Sequence, residues 1–107
     1  MQVWFIDGPE KIEEKLFIQK YVPKLDKILK DSNASIIITD RPGCANKIAR
    51  YLSTHGYRNC RVYHTGKNPR HKIGKFPYKG GFKDLTSCKN QLFRDCDLYF
   101  CSVLNTT

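Results

Sequence analysis

Between Arg41 and Lys83 the chain has no acidic residue, while Arg41, Lys47, Arg50, Arg58, Arg61, Lys67, Arg70, Lys72, Lys75, Lys79 and Lys83 all fall inside that span. A field of one sign over such a length attracts anions. Two segments within it have the glycines that let an anion reach the backbone. In Asp40-Arg41-Pro42-Gly43-Cys44, the glycine at the start of a helix would expose the N–H groups of Cys44, Ala45 and Asn46 to a phosphate, with the helix dipole behind them. The plainer reading of the same residues is a Pro-Gly turn with Asp40 as helix cap. In Lys79-Gly80-Gly81-Phe82-Lys83, consecutive glycines can present successive N–H groups as an anion-binding nest between two lysines, or can simply loosen a loop. Arg41, Arg70, Lys79 and Lys83 supply the cations that phosphate oxygens require. Phe76, Tyr78 and Phe82, interleaved with lysines, can stack on a base or pack the loop onto the fold.

Catalytic groups are sparser. Asp7, Glu10 and Asp40 are candidate general acids or bases, since a carboxylate beside cations stays ionised. His64 suits acid-base work or phosphate donation, or a structural place with a backbone partner. Neither G-x-x-x-x-G-K-[ST] nor G-x-G-x-x-G occurs, and no Ser or Cys nucleophile has an evident His and acid nearby. The five cysteines, Cys44, Cys60, Cys88, Cys96 and Cys101, lack the close pairs of zinc or redox motifs. We expect no metal site and no required cofactor beyond a nucleotide-type ligand, with reduced thiols in an intracellular, cytoplasmic setting. An acidic residue stands near the amino end where a secretory leader would place cations, and no run of about 18 apolar residues exists, so no membrane association is expected.

Periodicity indicates the elements that position these groups. Val3-Trp4-Phe5-Ile6 is a short buried strand stopped by Asp7-Gly8-Pro9. Apolar residues recur at helical spacing between Glu10 and Lys30, where Pro23 requires either a kink or a helix beginning near Tyr21. Ile36-Ile37-Ile38-Thr39 is a β-branched run of the kind found in strands covered on both faces. A helix over Cys44–His55 ends at Gly56, and Asn59–His64 is a third strand. Thr65 to Lys83, rich in glycine, proline and cations, reads as a long loop. A short helix over Leu85–Phe93 and a strand over Asp97–Val103 complete the order. Length and pattern predict one α/β domain over residues 1–107, a Rossmann-like three-layer unit with a mainly parallel sheet of about four strands.

The string from Ile36 to Lys83, with TDRPG, HGYRNCRVYHTG, NPR and FPYKGGF, resembles Rossmann-like proteins of the SLOG superfamily, a group that includes LOG proteins, DprA-type domains and molybdenum-cofactor carrier proteins. The resemblance implies a ligand cleft on Gly8 after strand one, on Asp40, Pro42 and Gly43 after strand two, and on Gly66, Asn68, Pro69 and Arg70 after strand three. The P-G-G-x-G-T phosphate loop of the nucleotide-hydrolysing LOG enzymes is absent, and larger relatives run on past Thr107, which implies that a partner subunit covers the exposed flank. An open edge strand leaves room for a homo-oligomer.

In open parallel sheets the ligand crevice lies beyond the carboxyl ends of the strands. Three readings follow. The first is binding of a nucleotide or other phosphorylated small molecule by Gly8, Asp40, Arg41, Pro42, Gly43, Cys44, Gly66, Asn68, Arg70, Lys79, Gly80, Gly81 and Lys83. The second is an enzyme that cleaves an N-glycosidic or phosphoester bond of such a ligand. The third is nucleic-acid binding by the acid-free middle of the chain.

Overall fold

A computed structural model describes residues 2–40, 43–67 and 76–101. The chain forms β1 (Gln2–Ile6), α1 (Glu14–Lys20), α2 (Val22–Leu29), β2 (Ala34–Thr39), α3 (Cys44–Thr54), β3 (Cys60–Thr65), β4 (Tyr78–Phe82), α4 (Leu85–Asp95) and β5 (Leu98–Phe100). The strands make one five-stranded sheet in the order β4-β3-β2-β1-β5, and every pairing is parallel.

Alternation along the strands divides the core into two. Ile6, Ile36, Ile38 and Val62 face α1, α2 and α3 and pack with Phe17, Leu25, Ile48 and Leu52. Phe5, Ile37 and Tyr63 face the other way and pack with Cys88 and Leu92 of α4. This is why Ile36-Ile37-Ile38 is apolar at every position: β2 is central and covered on both faces. The strand order steps outward from β1 to β4 and then returns beyond β1 to β5. With crossovers of constant right hand, that reversal carries α4 to the face opposite the other helices.

Pro23 resolves as a break between two helices. Tyr21 closes α1 and opens α2, and the proline occupies the first turn of α2, where its missing N–H costs no helical bond. Tyr21 is fully buried, stacked on Phe17 with ring centroids 5.6 Å apart, and its hydroxyl donates to the Asp7 carbonyl at 2.7 Å.

The sheet has five strands rather than four because part of the segment expected to be a loop pairs with β3. Tyr78–Phe82 forms β4, with Val62 opposite Tyr78 and Tyr63 opposite Lys79. The register shifts between Tyr63 and Thr65, and there Gly81 takes φ +83°, the left-handed backbone that a bulge of this kind asks of glycine. A strand with so few side chains to alternate carries no period in its sequence. Among the described residues no helix is long and apolar enough to cross a membrane.

Candidate functional site

The loops that leave the carboxyl ends of β1, β2 and β3 surround a cavity of about 190 Å³ roofed by the first turns of α4. Phe5 and Tyr63 form its apolar wall. Asp7 and Glu10 come from the loop after β1, Thr39 and Asp40 from the end of β2, and His64 and Thr65 from the end of β3. From α4, Leu85, Cys88 and Lys89 complete the lining. Among the described residues the buried polar side chains are Asp40, His64 and Thr39, exposed by 2%, 4% and 7%, and all three line this cavity. Burying polar groups is costly unless they are paired, and here the three are gathered at one place, the strand ends.

The loop after β1 is held from several sides. The Asp7 N–H donates to the Phe100 carbonyl at 2.9 Å and the Cys44 N–H to the Pro9 carbonyl at 3.0 Å. The Gly8 N–H donates to the Asp7 carboxylate at 2.8 Å. Gly8 has no space for a side chain, because a Cβ there would stand 2.4 Å from Cys44 Sγ and 2.7 Å from the Tyr21 hydroxyl.

Gly43 is required for a different reason from the one its sequence context suggests. Its φ is +86°, and a Cβ would stand 1.8 Å from the Glu10 carbonyl oxygen. The close approach that glycine permits is thus made by the backbone of Glu10, in the place expected for a ligand phosphate. The first N–H of α3 is likewise already donated to Pro9. Cys44 itself is core: it is fully buried, and burial pushes its thiol up to about 12.

The double-glycine segment also differs from the expected nest. The Gly81 N–H donates to the Gly66 carbonyl at 2.7 Å, and the Gly66 N–H donates to the Phe82 carbonyl at 3.0 Å. These amides close the β3–β4 ladder and cannot also converge on an anion. Gly80 makes room for His64 instead, since a Cβ on it would lie 2.0 Å from the imidazole Cε1 and 2.3 Å from Nε2. The ring has Tyr78 edge-on at 5.9 Å, and its Nδ1 lies 3.1 Å from the Thr65 carbonyl. Lys79 does not reach the cavity. Its ammonium meets the Asp95 carboxylate at 3.2 Å, at the last turn of α4. The aromatic side chains of this stretch pack inward or against one another: Phe76 is buried in the core and Phe82 stacks on Tyr63 at 6.0 Å. Lys83 is exposed just after β4. Arg41, Pro42, Asn68, Pro69 and Arg70 lie outside the described residues.

The site therefore brings together Asp40 with Asp7 and Glu10, and adds Thr39, Thr65 and Lys89, which sequence reasoning did not single out. Thr39 and Thr65 end their strands on the α4 face, two positions beyond Ile37 and Tyr63, so strand alternation alone places them there. Lys89 follows the buried Cys88 on α4 and carried no comparable signal. Among the described residues the lining of this cavity holds three carboxylates, Asp7, Glu10 and Asp40, and one lysine, Lys89, and carboxylate oxygens accept hydrogen bonds from hydroxyl and amine donors. Among the described residues no group of three His, Cys, Asp or Glu side chains stands ready to hold a metal ion. No protein-family model, curated protein or solved structure matches the chain. The functional reading rests on these residues.

Proposed function

We propose that this protein binds a nucleotide or nucleotide-derived ligand at the carboxyl edge of its sheet, with the hydroxyl-rich sugar in the cavity and the phosphate directed outward. The observation that carries the reading is the convergence of all three buried polar side chains of the described residues, Asp40, His64 and Thr39, on one cavity at the strand ends. Ligands of parallel α/β sheets bind at that edge. At about 190 Å³ the cavity is smaller than the roughly 300–1,000 Å³ of drug-sized pockets, which matches a single sugar or base ring. Carboxylates accept hydrogen bonds from ribose hydroxyls, and the formal net charge of +9 draws the phosphate toward the protein. A relationship to SLOG proteins is part of this proposal, and under it Arg70 would contact the phosphate, with Arg41 as a further cation of the same acid-free span. The five cysteines are free thiols, in keeping with a reducing, intracellular setting.

The test is thermal denaturation of the purified protein against adenosine, ribose 5-phosphate, AMP and ADP-ribose. A ligand at a hundredfold excess over its Kd stabilises by about 2.7 kcal/mol, and Asp40→Asn and Arg70→Ala should each reduce that gain. Absence of stabilisation by every compound would sink the proposal.

A second reading, cleavage of an N-glycosidic bond, is favoured by one observation: the three carboxylates proposed as acid or base all line the same cavity. Release of free base from nucleoside 5′-monophosphates, followed by chromatography, tests it. Turnover that persists after Asp7, Glu10 and Asp40 are all converted to amides refutes it.

A further inference from the structure

A second recess, of about 340 Å³, opens at the opposite, amino edge of the sheet. Its walls are Val3, Ile36, Ile37 and Pro77, and its polar groups include Arg58, Asn59, Arg61 and Ser35. The backbone that presents the arginines is fixed. The Tyr57 hydroxyl donates to the Ala34 carbonyl at 2.9 Å, the Ile36 N–H donates to the Asn59 carbonyl at 2.8 Å, and the Val62 N–H donates to the Pro77 carbonyl at 2.9 Å. Arg61 lies opposite Ile37 in the register, on the α4 face, and both guanidinium groups belong to exposed residues.

The recess contains one carboxylate, Asp95, and its oxygens are already used. One accepts from Gln91 at 2.9 Å, and the other accepts from the Tyr63 hydroxyl and from Lys79 at 3.2 Å. Arg61 stands beside the Tyr63 hydroxyl, and among the described residues neither Arg58 nor Arg61 makes an ion pair. Two guanidinium groups without an ion pair among the described residues therefore flank a recess with largely apolar walls, where the field of a charge is less screened than in open water. Their planar forks match phosphate oxygens, and the Ser35 hydroxyl and Asn59 amide add neutral donors.

We propose that Arg58 and Arg61 form an anion site at the amino edge of the sheet that takes phosphate or phosphodiester groups. It stands independently of the carboxyl-edge cavity, with which it shares no lining residue. The phosphate can come from a nucleic-acid strand or from a small molecule. Two probes separate these sources: a fluorescein-labelled oligothymidylate read by anisotropy over a salt series, and inorganic pyrophosphate read by amide chemical shifts.

In the Arg58→Ala/Arg61→Ala variant, oligothymidylate affinity should fall at least tenfold and the salt slope by about 1.4, the value for two contacts to a single strand. The melting temperature should stay unchanged. Arg58→Lys/Arg61→Lys should recover part of the affinity, because charge remains while the fork is lost. Pyrophosphate shifts at Ser35, Asn59 and Arg61 that vanish in the alanine variant, without strand binding, would assign the site to small phosphates. If neither probe distinguishes the alanine variant from the unaltered protein, the proposal is overturned.

Discussion

Replacing Gly80 by alanine isolates one contact in the wall of the candidate site. The φ of Gly80 is not among the positive values found at Gly43, Gly56, Gly66 and Gly81, so alanine meets no backbone strain there. The whole effect comes from the new methyl group, 2.0 Å from His64 Cε1 and 2.7 Å from Nδ1. Carbon atoms pack at about 3.5–4.0 Å, so the imidazole must move by more than an ångström from a buried seat. Overpacking of this kind costs about 1–3 kcal/mol. For a chain of this length each kcal/mol lowers the melting temperature by roughly 4 °C, so Gly80→Ala should lower it by roughly 4–12 °C. Urea denaturation of Gly80→Ala, His64→Ala and the double variant forms a cycle. Because the clash needs both groups, the double variant should be more stable than the sum of the single effects by about 1–3 kcal/mol. Additivity within about 0.5 kcal/mol would refute the reasoning and show that His64 and Gly80 do not meet.

Gly43→Ala combines a left-handed φ with a methyl 1.8 Å from the Glu10 carbonyl and should destabilise by about 3 kcal/mol or more, read by urea denaturation. Gly56 has a similar φ, +70°, but open space around it, so Gly56→Ala should cost only the backbone strain, about 1–2 kcal/mol. Asp95 has its carboxyl held below the usual carboxylate range, first by the Tyr63 hydroxyl and then by Gln91 and Lys79. Its stabilising contribution is therefore complete above the unfolded pKa near 3.9 and lost as pH falls through the lower folded value. Asp95→Asn should melt at a lower temperature at pH 7 and show a shallower loss of stability below about pH 4. A thiol-reactive dye should modify Cys96 and Cys101 in the native protein, whereas Cys44 and Cys60, buried with their thiols pushed up to about 12, and the buried Cys88 should react only on unfolding.

Strands β1, β2 and β3 and helices α3 and α4 were legible because their side chains carry the structure: a β-branched run for β2, helical spacing through Ile48 and Leu52 for α3. β4 was hidden because Gly80 and Gly81 show only what the strand lacks. Its place is set by the imidazole it must clear and by backbone pairing to β3, neither of which leaves a period in the sequence. The candidate cavity, with Asp7, Glu10 and Asp40 on its lining, lies at the strand ends, where the strand and helix order expected from the sequence puts the connecting loops. The roles of Gly43, Cys44 and Lys79 did not, because a glycine needed by another stretch of backbone looks the same in sequence as one needed by a ligand. Lys79 finds Asp95 sixteen residues away, a pairing that local spacing cannot reveal.

The loop after β1 touches Tyr21, Phe100, Cys44 and Gly43 through its own backbone, so it is braced by α3, by β5 and by the Tyr21 hinge between α1 and α2 at once. The backbone that carries Asp7 and Glu10 is consequently fixed by the fold itself. Under the proposed function, capture would spend little on ordering the host, and the speed of encounter would be set by diffusion and charge rather than by a closing motion.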